Sequence, residues 1–284
     1  MIFVTTLTKH IYQFCGKRLL KSFIETGNHH DHQLYVFFEN EDDLYTEHYP
    51  EWLLEWADKP FFTFGNLMTY EYNGRKLVDY VDGSLSNKIT FDHLYNSARS
   101  VKWFRPVAAM QFANDIIPAG RFSSIDADCL FTSRVAEGFF DNIIGDYNIA
   151  FLGREKFNVM RHGDYDTSGN YIHTNTVAAT DADRHTETGY IGFDLDKPGT
   201  RDFIARNVEY WTSEQVLELP YRTDCHTFDA ARRDMSDLSY NNLCDPMGEL
   251  SPIGSRVIED SVLGSFLVHH KGTIGPNLYR ANQL

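Results

Sequence analysis

The sequence predicts an α/β domain with a central, mostly parallel β-sheet flanked by helices. Three observations predict it. The chain opens with strand, helix and strand at βαβ spacing, which builds a parallel pair and puts ligands beyond the C-terminal ends of the strands. Further strand-like runs near residues 125–131, 147–152 and 190–193 alternate with helical patterns. No repeat, low-complexity linker or break in composition divides the 284 residues, so residues 1–284 are expected to form a single domain.

Residues 2–8 are rich in β-branched and aromatic types and read as the first strand. Ile11, Phe14, Leu19, Leu20 and Phe23 fit one face of a helix from about Ile11 to Ile24, which Gly27-Asn28 ends. Gln33–Phe38 is the second strand. Pro50 is placed to start a short helix over Glu51–Trp56. From Phe61 to Asn87 the chain reads as irregular and aromatic, with turns at Asn73-Gly74 and Asp82-Gly83. Thr90 is placed to cap a helix through Leu94, Ala98 and Val101; Pro106 kinks or restarts it before Val107 to Phe112 continue the pattern. Pro118-Ala119-Gly120 turns the chain into a strand spanning Ile125–Phe131. A helical segment to about Ile144 and a strand over Tyr147–Leu152 follow. Residues 161–190, polar and rich in Asp, His and Thr, read as loops over a site. Tyr190–Phe193 is a short strand, residues 200–218 a helix, and Pro220 a turn into a helix that starts near Asp224.

Bulk properties exclude several classes. A net charge of −14 argues against sequence-independent binding to nucleic acid, which relies on neutralising phosphates with Lys and Arg. No apolar run approaches a membrane span, and the N-terminus has neither a basic start nor an apolar signal core. The four cysteines, at 15, 129, 225 and 244, show no metal-type pairing. A soluble, reduced, cytoplasmic protein is expected. An aromatic content of 14% suits a wall for sugars or bases, although core filling is the commoner use.

The chemistry concentrates at Ile125-Asp126-Ala127-Asp128-Cys129-Leu130-Phe131. On a strand, Asp126 and Asp128 would point the same way. Paired carboxylates call for a divalent cation, whose open positions suit the oxygens of a diphosphate. Upstream, Lys102 and Arg105 share part of a helix surface and are placed to hold phosphate oxygens, whereas Arg99 reads as a solvated face. Downstream, Val268-His269-His270-Lys271-Gly272 brings an imidazole suited to Mn²⁺ and an ammonium suited to a diphosphate. Asp181-Ala182-Asp183 and Asp194-Leu195-Asp196 repeat the acid pattern in less favourable settings. His29-His30-Asp31-His32 reads as a solvated turn.

In this order the motifs resemble those of GT-A-fold glycosyltransferases, whose domain is a Rossmann-like sheet. The resemblance implies nucleotide contacts from the opening strand, Phe3 to Thr6, and so from Thr5 and Thr6. It implies a basic helix carrying Lys102 and Arg105 ahead of an Asp-any-Asp motif, Asp126-Ala127-Asp128. The acceptor segment would be Glu187 to Asp194, including Gly189, Tyr190, Gly192 and Asp194. The helix-opening acid would be Asp224, with Asp260 as a second candidate. His269 would complete a Mn²⁺ or Mg²⁺ site with Asp126 and Asp128, and Lys271 would meet the diphosphate. The implied reaction moves a sugar from a nucleotide-diphosphate sugar, UDP-sugar favoured, to a carbohydrate or other hydroxyl acceptor. The last loop is similar to that of glycogenin-like members, but Thr273-Ile274-Gly275-Pro276 replaces their Lys-Pro-Trp, and Asp-Gln-Asp is missing near Asp224. Stereochemistry therefore stays open: Asp224 would act as base if the reaction inverts and would position the sugar if it retains. Two alternatives remain. A nucleotidyltransferase making nucleotide-sugars would need a glycine-rich loop where Thr6-Leu7-Thr8-Lys9 stands. A non-catalytic carbohydrate-binding protein would need no joint acid, base and histidine arrangement.

Overall fold

The computed structural model describes residues 1–39, 49–76, 101–165, 171–180, 184–213, 215–219, 221–247, 252–254 and 256–269. β1 (Ile2–Leu7) pairs in parallel with β2 (Gln33–Phe38), Phe3 opposite Leu34 and Leu7 opposite Phe38. The crossover runs through a helical turn at Lys9–Ile11, a π-helical turn at Tyr12–Gly16 and the helix Lys17–Glu25. Leu19, Leu20 and Phe23 on that helix are fully buried against the sheet. Gly27, at φ 78°, ends it in the left-handed region that suits glycine. The His29–His32 turn is less solvated than expected: His32 packs edge-on against Phe3 and Phe140 at 5.8 and 6.0 Å, and burial lowers its pKa to about 4.

The region after Phe61, expected to be irregular, contributes β3 (Phe62–Asn66), which pairs in parallel with β2. Its Phe62-Thr63-Phe64 core is too short for periodicity to separate it from its aromatic surroundings. The Asn73-Gly74 turn is formed, with both residues at positive φ between β4 (Glu71–Tyr72) and β5 (Arg75–Lys76). Asp82-Gly83 and the Thr90 cap lie outside the described residues. The helix Val101–Ile116 accommodates Pro106 without a restart.

β6 (Arg121–Ile125) joins β1 in parallel, and β7 (Cys129–Phe131) leaves the sheet. After the helix Phe139–Ile143 comes β8 (Ile149–Leu152). Residues 161–190 are not simply loops: β9 (Val159–Tyr165) and β10 (Tyr171–Ala178) form an antiparallel ribbon, whose polar, Thr-rich composition hides its strand character. β11 (Glu187–Asp194) is antiparallel to both β6 and β8, and every one of its residues is buried. The helices Thr200–Thr212 and Asp224–Asp234 follow, with a 3₁₀ turn at Gln215–Glu218 ending the stretch expected as one helix. β12 (Tyr240–Asn242) extends the sheet beside β8, β13 (Pro252–Gly254) lies along β9, and β14 (Leu267–His269) pairs with β7.

The main sheet has the order β12-β8-β11-β6-β1-β2-β3. Only β11 runs against the rest, so the sheet is mostly parallel as expected. One core packs the Lys17–Glu25 helix on one face through Phe3, Leu7 and Phe23. The other packs Val101–Ile116 and Thr200–Thr212 on the opposite face through Val4, Phe104 and Trp211. Among the described residues no helix is long and apolar enough to cross a membrane.

Candidate active site

The acid pair sits at the C-terminal end of β6, where ligands of such sheets bind. It does not lie on a strand. Asp126, Ala127 and Asp128 form a turn closed by Cys129 N–H donating to the Asp126 carbonyl at 3.1 Å. Asp126 N–H in turn donates to the Gly189 carbonyl at 3.2 Å. The alternation expected to align the two carboxylates therefore does not operate; a turn does the aligning, because the chain must leave β6 to enter β7.

That exit brings in the histidine. β7 and β14 pair with Cys129 directly opposite His269, so the imidazole arrives beside the turn. His269 Nε2 lies 3.0 Å from Asp128 Oδ1 and 3.4 Å from Asp126 Oδ2. The imidazole is 2% exposed, whereas the carboxylates are 34% and 29% exposed and open toward solvent. One contact anchors the residue and another confines the ring. The His269 backbone N–H donates to Glu259 Oε1 at 2.9 Å, and the Gly189 backbone packs so closely that a Cβ there would stand 2.8 Å from His269 Cε1 and 3.1 Å from Nδ1. Burial opposes charge on the imidazole, but Asp128 and Asp126 together outweigh it and raise the pKa to about 9. The two carboxylates thus favour positive charge at this point. Imidazole plus carboxylate oxygens is a set that Mn²⁺ accepts, and the carboxylates alone suit Mg²⁺, so the residues present fit the ion the motif implies.

Reasoning from sequence placed Glu187 in the acceptor segment, not beside the metal ligands, and did not single out Arg154. Glu187 opens β11, and its carboxylate, with those of Asp126 and the His269 imidazole, offers ligand atoms within 4.8 Å of one another. Arg154, just beyond β8, forms an ion pair with it, and both side chains are almost fully buried. Glu187 Oε1 also accepts from Gly189 N–H at 3.2 Å. A lone acid beginning a strand gives no periodic signal; the only hint was a charge in a segment otherwise buried.

Asp224 comes to the same edge from the other side. Thr223 caps its helix, and Asp224 is buried with Oδ2 accepting from Thr188 Oγ at 2.8 Å and Oδ1 from Cys225 N–H at 3.0 Å. Thr188 and Gly189 therefore link Asp224 to His269 along β11.

Other expected residues are not gathered there. Tyr190 is fully buried and shares a hydrogen bond with Ser123 Oγ at 2.9 Å. Gly192 packs on Ile144, and Asp194 ends the strand some distance away, bound to Arg121 Nε at 2.9 Å. Of the acceptor segment, only Glu187–Gly189 reaches the acid pair, because an extended strand carries each later residue about 3.4 Å further off. Asp260 closes the helix Val257–Asp260 rather than opening one, and faces Arg256 at 3.5 Å. Arg105 is buried against Glu39 at the end of β2, Nη2 to Oε2 being 3.1 Å. Thr5 is buried with a hydroxyl that has no hydrogen-bond partner among the described residues, and Thr6 is half-buried. The Lys102 side chain, Lys271, Asp181 and Asp183 lie outside what the structure describes. Burial, with Asp128 and Asp126 adding to it, pushes up the thiol pKa of Cys15 in the π-helical turn.

No protein-family model matches the sequence, and no curated protein matches it. Among solved structures, an active-site mutant of LgtC is similar over 97% of this chain and 89% of its own, with 12% identity and a TM-score of 0.51. Mouse xyloside xylosyltransferase 1 is similar over 86% of each chain, with 18% identity and a TM-score of 0.47. Galactosyltransferase LgtC with donor and acceptor sugar analogues gives 11% identity and a TM-score of 0.48, over 97% of this chain and 89% of its own. The chain has the GT-A fold, as its motifs led us to expect.

Proposed function

We propose that the protein is a metal-dependent glycosyltransferase that moves a sugar from a nucleotide-diphosphate sugar, UDP-sugar favoured, to a carbohydrate or other hydroxyl acceptor. The observation that carries this reading is the meeting of Asp126, Asp128 and His269 within 3.0–3.4 Å at the C-terminal edge of a GT-A sheet. A distant fold likeness would be compatible with many activities; this convergence is what favours one.

Asp126, Asp128 and His269 would hold Mn²⁺ or Mg²⁺. When bound, the ion supplies Lewis-acid neutralisation of charge on the departing diphosphate. The protein's own residues do the remaining work. Gly189 confines the imidazole so that it faces the carboxylates, and Glu259 anchors the His269 backbone. Lys102 and Lys271 are the cations assigned to the diphosphate oxygens. The buried Arg105–Glu39 pair braces the end of β2 beside the nucleotide side of the sheet. Asp224, held by Thr188, orients the transferred sugar or, in an inverting reaction, accepts the acceptor's hydroxyl proton. Closure of the buried Glu187–Arg154 pair keeps a third carboxylate next to the site without leaving its charge uncompensated.

A thermal-shift panel of UDP-, GDP- and CMP-sugars with and without Mn²⁺ tests the reading, because a ligand that binds only the native state raises its apparent stability. One nucleotide-sugar is expected to stabilise the protein only with metal present, and Asp128→Ala is expected to abolish that shift. In turnover, losing one such stabiliser should cost about 2.7–4 kcal/mol of transition-state stabilisation. Full metal-dependent stabilisation in the variant would reject the role of Asp128.

A further inference from the structure

Cys129 has no part in the sugar-transfer reading, yet it stands beside Asp128 and His269 in a metal-competent cluster. It faces His269 directly across the antiparallel β7–β14 pair. Opposed residues in such a pair project from the same face, with Cβ atoms about 4.5–5.5 Å apart. Asp128 precedes it in the turn. One ligand atom from each of Asp128, Cys129 and His269 lies within 4.8 Å of the other two. Cys129 and His269 are buried, while Asp128 is 29% exposed and gives an ion a way in. We propose that Asp128, Cys129 and His269 form a binding site for a thiophilic divalent cation, Zn²⁺ above all, distinct from the oxygen-rich arrangement that suits Mn²⁺ or Mg²⁺.

Chemistry separates the two arrangements. Asp126, Asp128 and His269, with Glu187 beside them, offer one nitrogen and carboxylate oxygens, which Mn²⁺ accepts. Replacing carboxylate oxygen by sulfur selects Zn²⁺ over Mn²⁺, and Zn²⁺ also stands above Mn²⁺ in general affinity for nitrogen and sulfur donors. One carboxylate, one thiolate and one imidazole leave a fourth tetrahedral position open. Both arrangements need the same ring nitrogen. Nδ1 is shut in by Gly189, and Nε2 faces the acids at 3.0 and 3.4 Å. One nitrogen ligates one ion, so the two modes exclude each other, and Zn²⁺ should displace Mn²⁺. On binding, the Cys129 S–H bond breaks, its proton leaves to solvent and a Zn–S bond forms, with no change in oxidation state. The thiol gives up a weak, 3.8 Å contact to the Gly189 carbonyl.

Co²⁺, an optical stand-in for Zn²⁺, tests the site on the intact chain without any nucleotide. The wild type should show thiolate-to-cobalt charge-transfer absorption on titration with Co²⁺, lost when Zn²⁺ is added. Cys129→Ser should lose that absorption and weaken Zn²⁺ binding by about 100-fold or more, since removing a ligand costs more than removing a supporting partner. Its Mn²⁺ affinity should change by less than about threefold, because hard ions have little use for sulfur. Absorption retained in Cys129→Ser, which would place it on another cysteine, or absorption absent from the wild type overturns the proposal. Should Cys129→Ser fold poorly, X-ray absorption on the Zn²⁺-loaded wild type decides: one sulfur at about 2.3 Å supports the site, and a shell of only nitrogen and oxygen sinks it. A protein with the cobalt band but no metal-dependent donor stabilisation would keep this site and lose the glycosyltransferase reading; the converse result would do the opposite.

Discussion

Replacing Gly189 by alanine should damage metal binding more than folding. The backbone at this position is not in the left-handed region, so alanine meets no conformational strain there, and lower unfolded-state entropy contributes about 0.4–1 kcal/mol in its favour. Space is the difficulty. The new methyl would lie 2.8 Å from His269 Cε1, 3.1 Å from Nδ1 and 3.2 Å from Ile258 Cδ1. Carbon contacts are optimal near 3.5–4.0 Å, so the imidazole must retreat by about 1 Å. It cannot swing out, being 2% exposed, and its far edge already meets Asp128 and Asp126. Overpacking of this kind costs about 1–3 kcal/mol, partly offset by the entropy gain. A misplacement of about 1 Å at a reacting site can cost about 100-fold in rate, and loss of a ligand's support about 10–100-fold in metal affinity. Mn²⁺ binding followed by electron paramagnetic resonance in the presence of UDP, beside urea denaturation, measures both effects. We expect Mn²⁺ affinity to fall by at least about tenfold while the urea midpoint moves modestly. Wild-type Mn²⁺ affinity in Gly189→Ala would refute the argument that this glycine sets the imidazole.

Glu187→Gln should lower stability by about 3–5 kcal/mol by removing the charge that balances the buried Arg154, and Glu187→Leu with Arg154→Met should restore most of it in urea denaturation; equal stability of the single variant and the wild type would count against a closed pair. In EDTA, the raised pKa of His269 contributes stability that is fully present below about 6.5 and is lost as pH rises through about 9, by at most about 3 kcal/mol. Mn²⁺ affinity should run the other way, rising over that window as the imidazole loses its proton; urea midpoints and Mn²⁺ isotherms from pH 6 to 10 check both trends, and flat profiles in His269→Gln identify the group. Thr188→Val removes the hydroxyl that donates to the buried Asp224 Oδ2 and should cost about 1–3 kcal/mol, with turnover falling more than donor affinity in steady-state kinetics.

The fold was legible where local pattern and tertiary role agree. β1, β2 and the helix between them show their periods plainly, and Thr223-Asp224 marks a helix start by its cap. β3 and the β9–β10 ribbon were hidden, the first by brevity among aromatics and the second by polar composition. At the site, Asp126, Asp128 and His269 could be named from residue type and motif order, but the geometric reason offered for the acid pair was wrong. The pair is aligned by a turn stitched to the Gly189 carbonyl, a partner far along the chain.

By itself the sequence determined the alternation of strands and helices, the acidic balance of the chain, and which side chains are able to ligate a cation. Only the tertiary structure decided which of them meet. It sets Cys129 opposite His269, presses Gly189 against the imidazole, and brings Glu187 with its Arg154 partner to the acid pair. The reason is physical: periodicity reports which face of an element is buried, whereas a ligand set depends on the register between strands remote in sequence, and that register is settled only when the whole sheet closes its hydrogen bonds.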